Sequence, residues 1–163
     1  MAFLWKTENI LTDQSISGIN ALTGEWIELE FSSTINEVRT GPVISPAIYV
    51  APAFLDLQVN GFAGVDYGSA QTTAEDIERS IEAQFATGVT RLLPTIITGS
   101  QERMVRAARN LGRAKANPGT GQAIVGLHME GPHICPEDGP RGAHPRVAVR
   151  APAFDEVKRW QEA

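Results

Sequence analysis

QAIVGLHMEGP, residues 122–132, is an apolar run that ends on His128, Glu130 and the pair Gly131-Pro132. A short, near-continuous apolar run closed by turn formers is the pattern of a strand buried inside a parallel sheet. Two more such runs precede it: FLDLQVNG, residues 54–61, and TRLLPTIITG, residues 90–99. Helical patterns fill the gaps. Thr73-Ala-Glu-Asp76 has the S/T-x-x-acid arrangement of a helix start, although Asp is a poorer partner than Glu. Ile77, Ile81, Gln84 and Phe85 follow at mainly helical spacing, and Gly88 ends the helix. A second helix, Gln101 to Lys115, places Met104, Val105, Ala108 and Leu111 on one face, and Asn117-Pro118-Gly119 stops it. A third begins near Asp155. The order β-α-β-α-β, with crossovers of ordinary length, predicts an α/β fold with a parallel sheet covered by helices.

Residues 1–50 read differently from residues 51–163, and two domains are expected on that division. The first carries short β-leaning runs: FLWK, GEWIELEF, NEVRTGPVI and AIYVAPA. Glu25 to Phe31 alternates charged and apolar residues, the period of a half-buried strand. A small antiparallel β piece is expected there, and three or four short strands make a poor core alone.

Composition narrows the function. The 163 residues are 42% hydrophobic and 20% charged, which is globular rather than disordered. The net charge of −5 and the lack of a Lys/Arg run argue against a nucleic-acid partner. No apolar stretch approaches the ~20 residues of a membrane span. MAFLWKTENILTDQ lacks the basic and apolar regions of a signal peptide. Cys135 is alone, so no intrachain disulfide forms. A cytoplasmic protein is expected.

In parallel β/α folds, function collects at the carboxyl ends of the strands. Asp56, Gln58 and Asn60 share one face of the first, because strand side chains alternate. His128 and Glu130 likewise share a face of the third. Polar groups inside a core strand need partners or a task. Plainer readings stand beside this one. An acid at a strand end also caps loops or pairs with Arg, a His after an apolar run is often a hydrogen-bonded core residue, and Asn60-Gly61 also reads as a tight turn. Cys135 has no neighbour that would activate a thiolate. GxGxxG and P-loop motifs are absent.

Together the segments are more specific than any one alone. APAFLDLQVNGFAGVDY, GVTRLLPTIIT and GLHMEGPHICPEDGPRGAH, in this order and spacing, resemble the N-acetylglucosamine-6-phosphate deacetylase family of the amidohydrolase superfamily. The resemblance covers about residues 50–163. It implies the first three βα units of a metal-dependent (β/α)8 TIM-type hydrolase barrel, preceded by part of a small β-sandwich. It implies Glu130 as a metal ligand. It assigns substrate contact to Ala143, through its backbone, and to His144, through its side chain. Where many amidohydrolases carry His-x-His, this chain has Gln58-x-Asn60. Neutral amides are weak zinc ligands, so Gln58 and Asn60 are expected to support the site by hydrogen bonds, with His128 structural or in the same supporting layer. The implied reaction is hydrolysis of an amino-sugar phosphate acetamide with one divalent metal, zinc or iron, in a homodimeric parent enzyme.

The resemblance also implies parts this chain does not supply. The family takes two His ligands from later strands and a catalytic Asp late in the barrel, expected beyond residue 163. A (β/α)8 barrel takes ~250 residues. The histidines here are His128, His133 and His144, and none occupies the position of the expected ligands. The chain alone is therefore expected to bind metal weakly or not at all and to be inactive. Two readings remain open: the amino-terminal part of a deacetylase, or a non-catalytic remnant or binding module with a barrel-like α/β core. Translating the DNA downstream of the Ala163 codon separates them.

Overall fold

The computed structural model describes residues 14–31, 35–41 and 49–163. The expected strand FLWK lies outside them, as does the start of the chain to residue 13, whose sequence reads as lacking a signal peptide. Two compact units divide between Phe54 and Leu55.

The first unit holds a four-stranded sheet: β1 (Gln14–Asn20), β2 (Trp26–Phe31), β3 (Ile35–Gly41) and β4 (Tyr49–Val50), in the order β3-β2-β1-β4. Antiparallel pairing joins β1 to β2 and β2 to β3, but β4 runs parallel to β1. The wholly antiparallel reading is corrected at that edge. β1 itself was not read from the sequence, because QSISGIN lacks a marked apolar alternation. On β2 the alternation works as expected: Ile27 and Leu29 are buried with Ile35 packed against them. The intervening Glu28 and Glu30 meet Arg39 at 3.2 Å each.

The second unit is α/β. The division falls after the first residue of β5 (Phe54–Val59), which is followed by the two-residue strands β6 (Gly61–Phe62) and β7 (Val65–Asp66). Then come α1 (Ala74–Phe85), β8 (Val89–Ile97), α2 (Gln101–Lys115), β9 (His128–Glu130) and α3 (Phe154–Gln161). The sheet order is β5-β8-β9, with β8 and β9 parallel. Thr73 caps α1 by accepting from the Asp76 amide, and Asp76 returns the bond to the Thr73 amide at 3.1 Å. Aspartate thus closes a full capping box despite its shorter reach. Ser100 caps α2 in the same way, accepting from Arg103 N.

The core lies between helices and sheet. Ile77 and Ile81 of α1, Met104, Ala107, Ala108 and Leu111 of α2, and Leu92 and Ile96 of β8 are buried together. A polar chain runs through this core: Ser80 donates to Phe62 O (2.9 Å), Tyr67 OH pairs with Ser80 Oγ (2.7 Å), and Gln84 donates to Tyr67 OH (2.8 Å). It ties the β6-β7 hairpin to α1. Asn60-Gly61 is thus the entry to a hairpin. A Cβ at Gly61 would lie 2.0 Å from Val65 O, so only glycine fits.

Two strands depart from expectation. β9 has only three residues, although the apolar run is longer. Its pairing with β8 starts at a bridge from Ile124 to Leu92 and resumes at His128 with Thr95. The 3-10 turn Thr120–Ala123 precedes the bridge, and Gly126, where an added Cβ would lie 3.1 Å from the Leu93 side chain, falls between the two points. β5 is the larger departure. It reads as buried on both faces, yet Leu55 and Leu57 are 48% and 61% exposed. The helix that follows it, α1, packs toward β6, β7 and β8.

Candidate functional site

Glu130 sits at the carboxyl end of β9, opposite Ile97 of β8. Two segments converge on its carboxylate. Gln58, at the end of β5, donates from Nε2 to Oε2 at 2.8 Å. His144, from the loop after β9, places Nε2 3.3 Å from Oε1. The carboxylate is about one-third exposed and the His144 side chain one-fifth. A half-buried carboxylate that accepts a hydrogen bond on one oxygen and has an imidazole nitrogen beside the other is restrained in orientation.

The backbone beneath it is also fixed. Thr98 donates from Oγ1 to the Glu130 carbonyl at 3.1 Å. Gly131 then turns with φ +89°, and a Cβ there would fall 1.9 Å from Thr98 Oγ1. The glycine of Glu-Gly-Pro is therefore a steric requirement of the Thr98 contact. Thr98 itself is fully buried.

The other expected residues take different places. His128 bonds through Nδ1 to Leu57 O at 3.0 Å, which ties β9 to β5. Asn60 is exposed, and its backbone carbonyl accepts from Tyr67 N at 2.9 Å. Asp56 accepts from the Gln58 amide at 3.0 Å through Oδ1 and so braces the turn of strand beneath Gln58. Ala143 is exposed beside His144. Gln58, Glu130 and His144 therefore form one cluster. Arg141, like Thr98, was missed in the sequence; it donates to His144 O at 2.6 Å and pairs with Asp138. Its signal was its place in the Pro-Arg-Gly-Ala-His run.

Catalytic zinc takes three protein ligands as a rule. Glu130 and His144 supply one carboxylate and one imidazole. Among the described residues no group of three or more His, Cys, Asp or Glu side chains is placed to hold an ion. The set falls short of a complete centre. No helix of the described residues is long and apolar enough to cross a membrane.

Comparison with known proteins agrees with the sequence resemblance. No family model matches the chain. The chain is 38% identical over 129 residues to the N-acetylglucosamine-6-phosphate deacetylase of Haemophilus influenzae, a match spanning 79% of this chain and 32% of that protein. It is 34% identical over 115 residues to the human protein of the same name, spanning 66% of this chain and 27% of that one. The chain thus spans about a third or less of these curated relatives. The crystal structure of N-acetyl-D-glucosamine-6-phosphate deacetylase from Mycobacterium smegmatis superposes on 91% of this chain, and on 43% of its own, with a TM-score of 0.72 and 25% identity. By sequence and by structure, this chain is a relative of the N-acetylglucosamine-6-phosphate deacetylases.

Proposed function

We propose that this chain contributes part of the active site of a metal-dependent deacetylase. Its substrate is N-acetylglucosamine 6-phosphate, and the products are glucosamine 6-phosphate and acetate. One observation carries the reading: Gln58 and His144, 86 residues apart in sequence, meet on the two oxygens of Glu130. In this reading the second unit is the first part of a (β/α)8 barrel and the first unit is part of a β-sandwich. The parent enzyme is a cytoplasmic homodimer.

The resemblance assigns the roles, and the chemistry of the groups is consistent with them. An acetamide carbonyl is a poor electrophile and water a poor nucleophile at neutral pH. A bound divalent cation, zinc or iron, acidifies water and polarises a carbonyl. Glu130 is the carboxylate this chain offers such an ion. Gln58 fixes the rotamer of Glu130. Asn60 and His128 hold the strand ends around it. His144 and the backbone of Ala143 face the amino sugar. The base that carries the proton to the leaving amine is an Asp this chain does not supply, and the donor set here does not complete the centre.

A chimera tests the reading. The 129-residue matching segment of the Haemophilus influenzae protein is replaced by that of this chain, and acetate release from N-acetylglucosamine 6-phosphate is measured. Metal-dependent release that is lost in Glu130→Gln is the expected result. A folded chimera with a full metal content and no release would sink the proposal, as would release that survives Glu130→Gln. For the 163-residue chain alone, no measurable release is expected with added zinc.

A further inference from the structure

The loop from Gly131 to Val149 carries His144, and its base is closed by a buried cluster that the reaction does not use. The Arg150 amide donates to Pro132 O at 3.2 Å, so the chain leaving β9 and the chain returning toward α3 are joined. The Arg150 guanidinium then reaches three segments. Nε donates to both oxygens of Glu156, at 3.1 and 3.0 Å, and a second nitrogen pairs with Oε1. Nη1 donates to Gly99 O at 2.9 Å, beyond the end of β8, and to Ala148 O at 2.6 Å. Glu156, in the first turn of α3, is 3% exposed. It also receives His133 Nε2 at 3.0 Å, and the His133 ring lies 5.6 Å from that of Trp160. One buried carboxylate therefore gathers the start of the loop (His133), its end (Arg150) and α3. Through Arg150 it is also tied to the carboxyl end of β8.

We infer that Arg150 and Glu156 are positioning residues that set the loop so that His144 lies on Glu130. The inference rests on reading Glu130 and His144 as one site. A buried ion pair is weak support for stability as such, because desolvation offsets its attraction. Its specific effect is geometric: the planar fork of Arg150 has one arrangement that satisfies Glu156, Gly99 and Ala148 together. Between these pins the loop has no helix or strand longer than the 3-10 turn Arg146–Ala148. Within the loop, Arg141 donates to His144 O and holds the backbone of the segment that bears His144. With the pins released, the segment bearing His144 opens locally while the α1-α2 core stays closed.

Nuclear magnetic resonance of the 163-residue chain separates this role from a general structural one. The wild-type chain is expected to show a cross-relaxation peak between the His144 ring and the Glu130 side chain. In Glu156→Gln that peak is expected to vanish, and amide exchange at residues 141–149 to rise at least ~10-fold, with α2 amides unchanged. Arg150→Lys keeps the charge and loses the fork, so an intermediate peak is expected. A peak that persists in Glu156→Gln overturns the inference, as does α2 exchange rising in step with the loop. If Glu156→Gln does not fold, Arg150→Lys decides: a weakened peak supports the inference and an unchanged one overturns it. Placement of His144 is read here without metal or substrate, so this result stands apart from the chimera, whose failure would instead remove the deacetylase reading.

Discussion

Gly131 shows how a single residue couples strand end to site. Its φ of +89° and the 1.9 Å separation that an added Cβ would have from Thr98 Oγ1 leave no room for a side chain. Gly131→Ala is expected to cost about 2 to 5 kcal/mol, combining ~1–2 for the left-handed backbone with ~1–3 for overpacking. Thr98→Ala removes the atom that is struck. Alone it loses the bond to Glu130 O, about 1 kcal/mol. Urea denaturation of the two single variants and the double variant should show the double well short of the sum. Strict additivity would mean that the backbone, not the Thr98 contact, demands glycine. The sequence marked Glu130 and its Gly-Pro sequel, and the structure explains the glycine. It could not mark Thr98 as the partner, since a threonine at a strand end carries no sign of which backbone it will touch. Gln58 was legible because a polar residue on the inner face of an apolar strand needs a partner; that the partner is Glu130, 72 residues away, required the fold.

The helices were legible almost residue by residue, because caps and apolar periods are local. The Thr73 box on α1 is one such signal, and Thr73→Ala is expected to lower stability by about 1 kcal/mol, read from the urea midpoint; no change would show that α1 is held by packing alone. What escaped the sequence depends on distant partners: β1, the parallel direction of the edge strand β4, and the shortening of β9 where Gly126 nears Leu93. The anchoring of α3 escaped for the same reason. Its buried Glu156 reads in sequence as an ordinary first-turn acid. The Arg150 guanidinium, and after it His133, hold the Glu156 carboxyl below the usual carboxylate range against the opposing effect of burial. A carboxyl with a lowered folded pKa binds fewer protons folded than unfolded. Its contribution is complete above the ordinary carboxylate range and is lost as pH falls below that range through the folded value. Asp76 in the capping box is lowered too, chiefly by the Thr73 backbone bond, so both carry part of the acid response. Urea midpoints measured down the acid limb should fall less steeply in Glu156→Gln than in the wild type. Identical slopes would show that the Arg150 pair does not couple to folding.

At the scale of the whole molecule, the strand that opens the α/β unit determines how the chain behaves in solution. Leu55 and Leu57 point to the same side of β5, opposite Gln58, and roughly half or more of each is exposed, with Phe54 exposed as well. Alternating polar and apolar residues put Gln58 on the site face and the leucines on the face a parallel sheet normally buries under helices. The sequence pattern is therefore that of a covered strand, and the described residues leave it uncovered. Exposed contiguous apolar surface of this kind drives association, and uncapped strand edges add to it. The 163-residue chain is expected to self-associate with rising concentration in light scattering, and the association should strengthen with kosmotropic salt, as apolar burial does. The double substitution Leu55→Gln, Leu57→Lys should raise the monomer fraction without changing the circular dichroism of the helices, since neither side chain belongs to the α1-α2 core. A wild-type chain that remains a cooperative monomer across the same concentrations would contradict this, and so would a double variant that associates as before, because the leucine face would then not be the surface responsible.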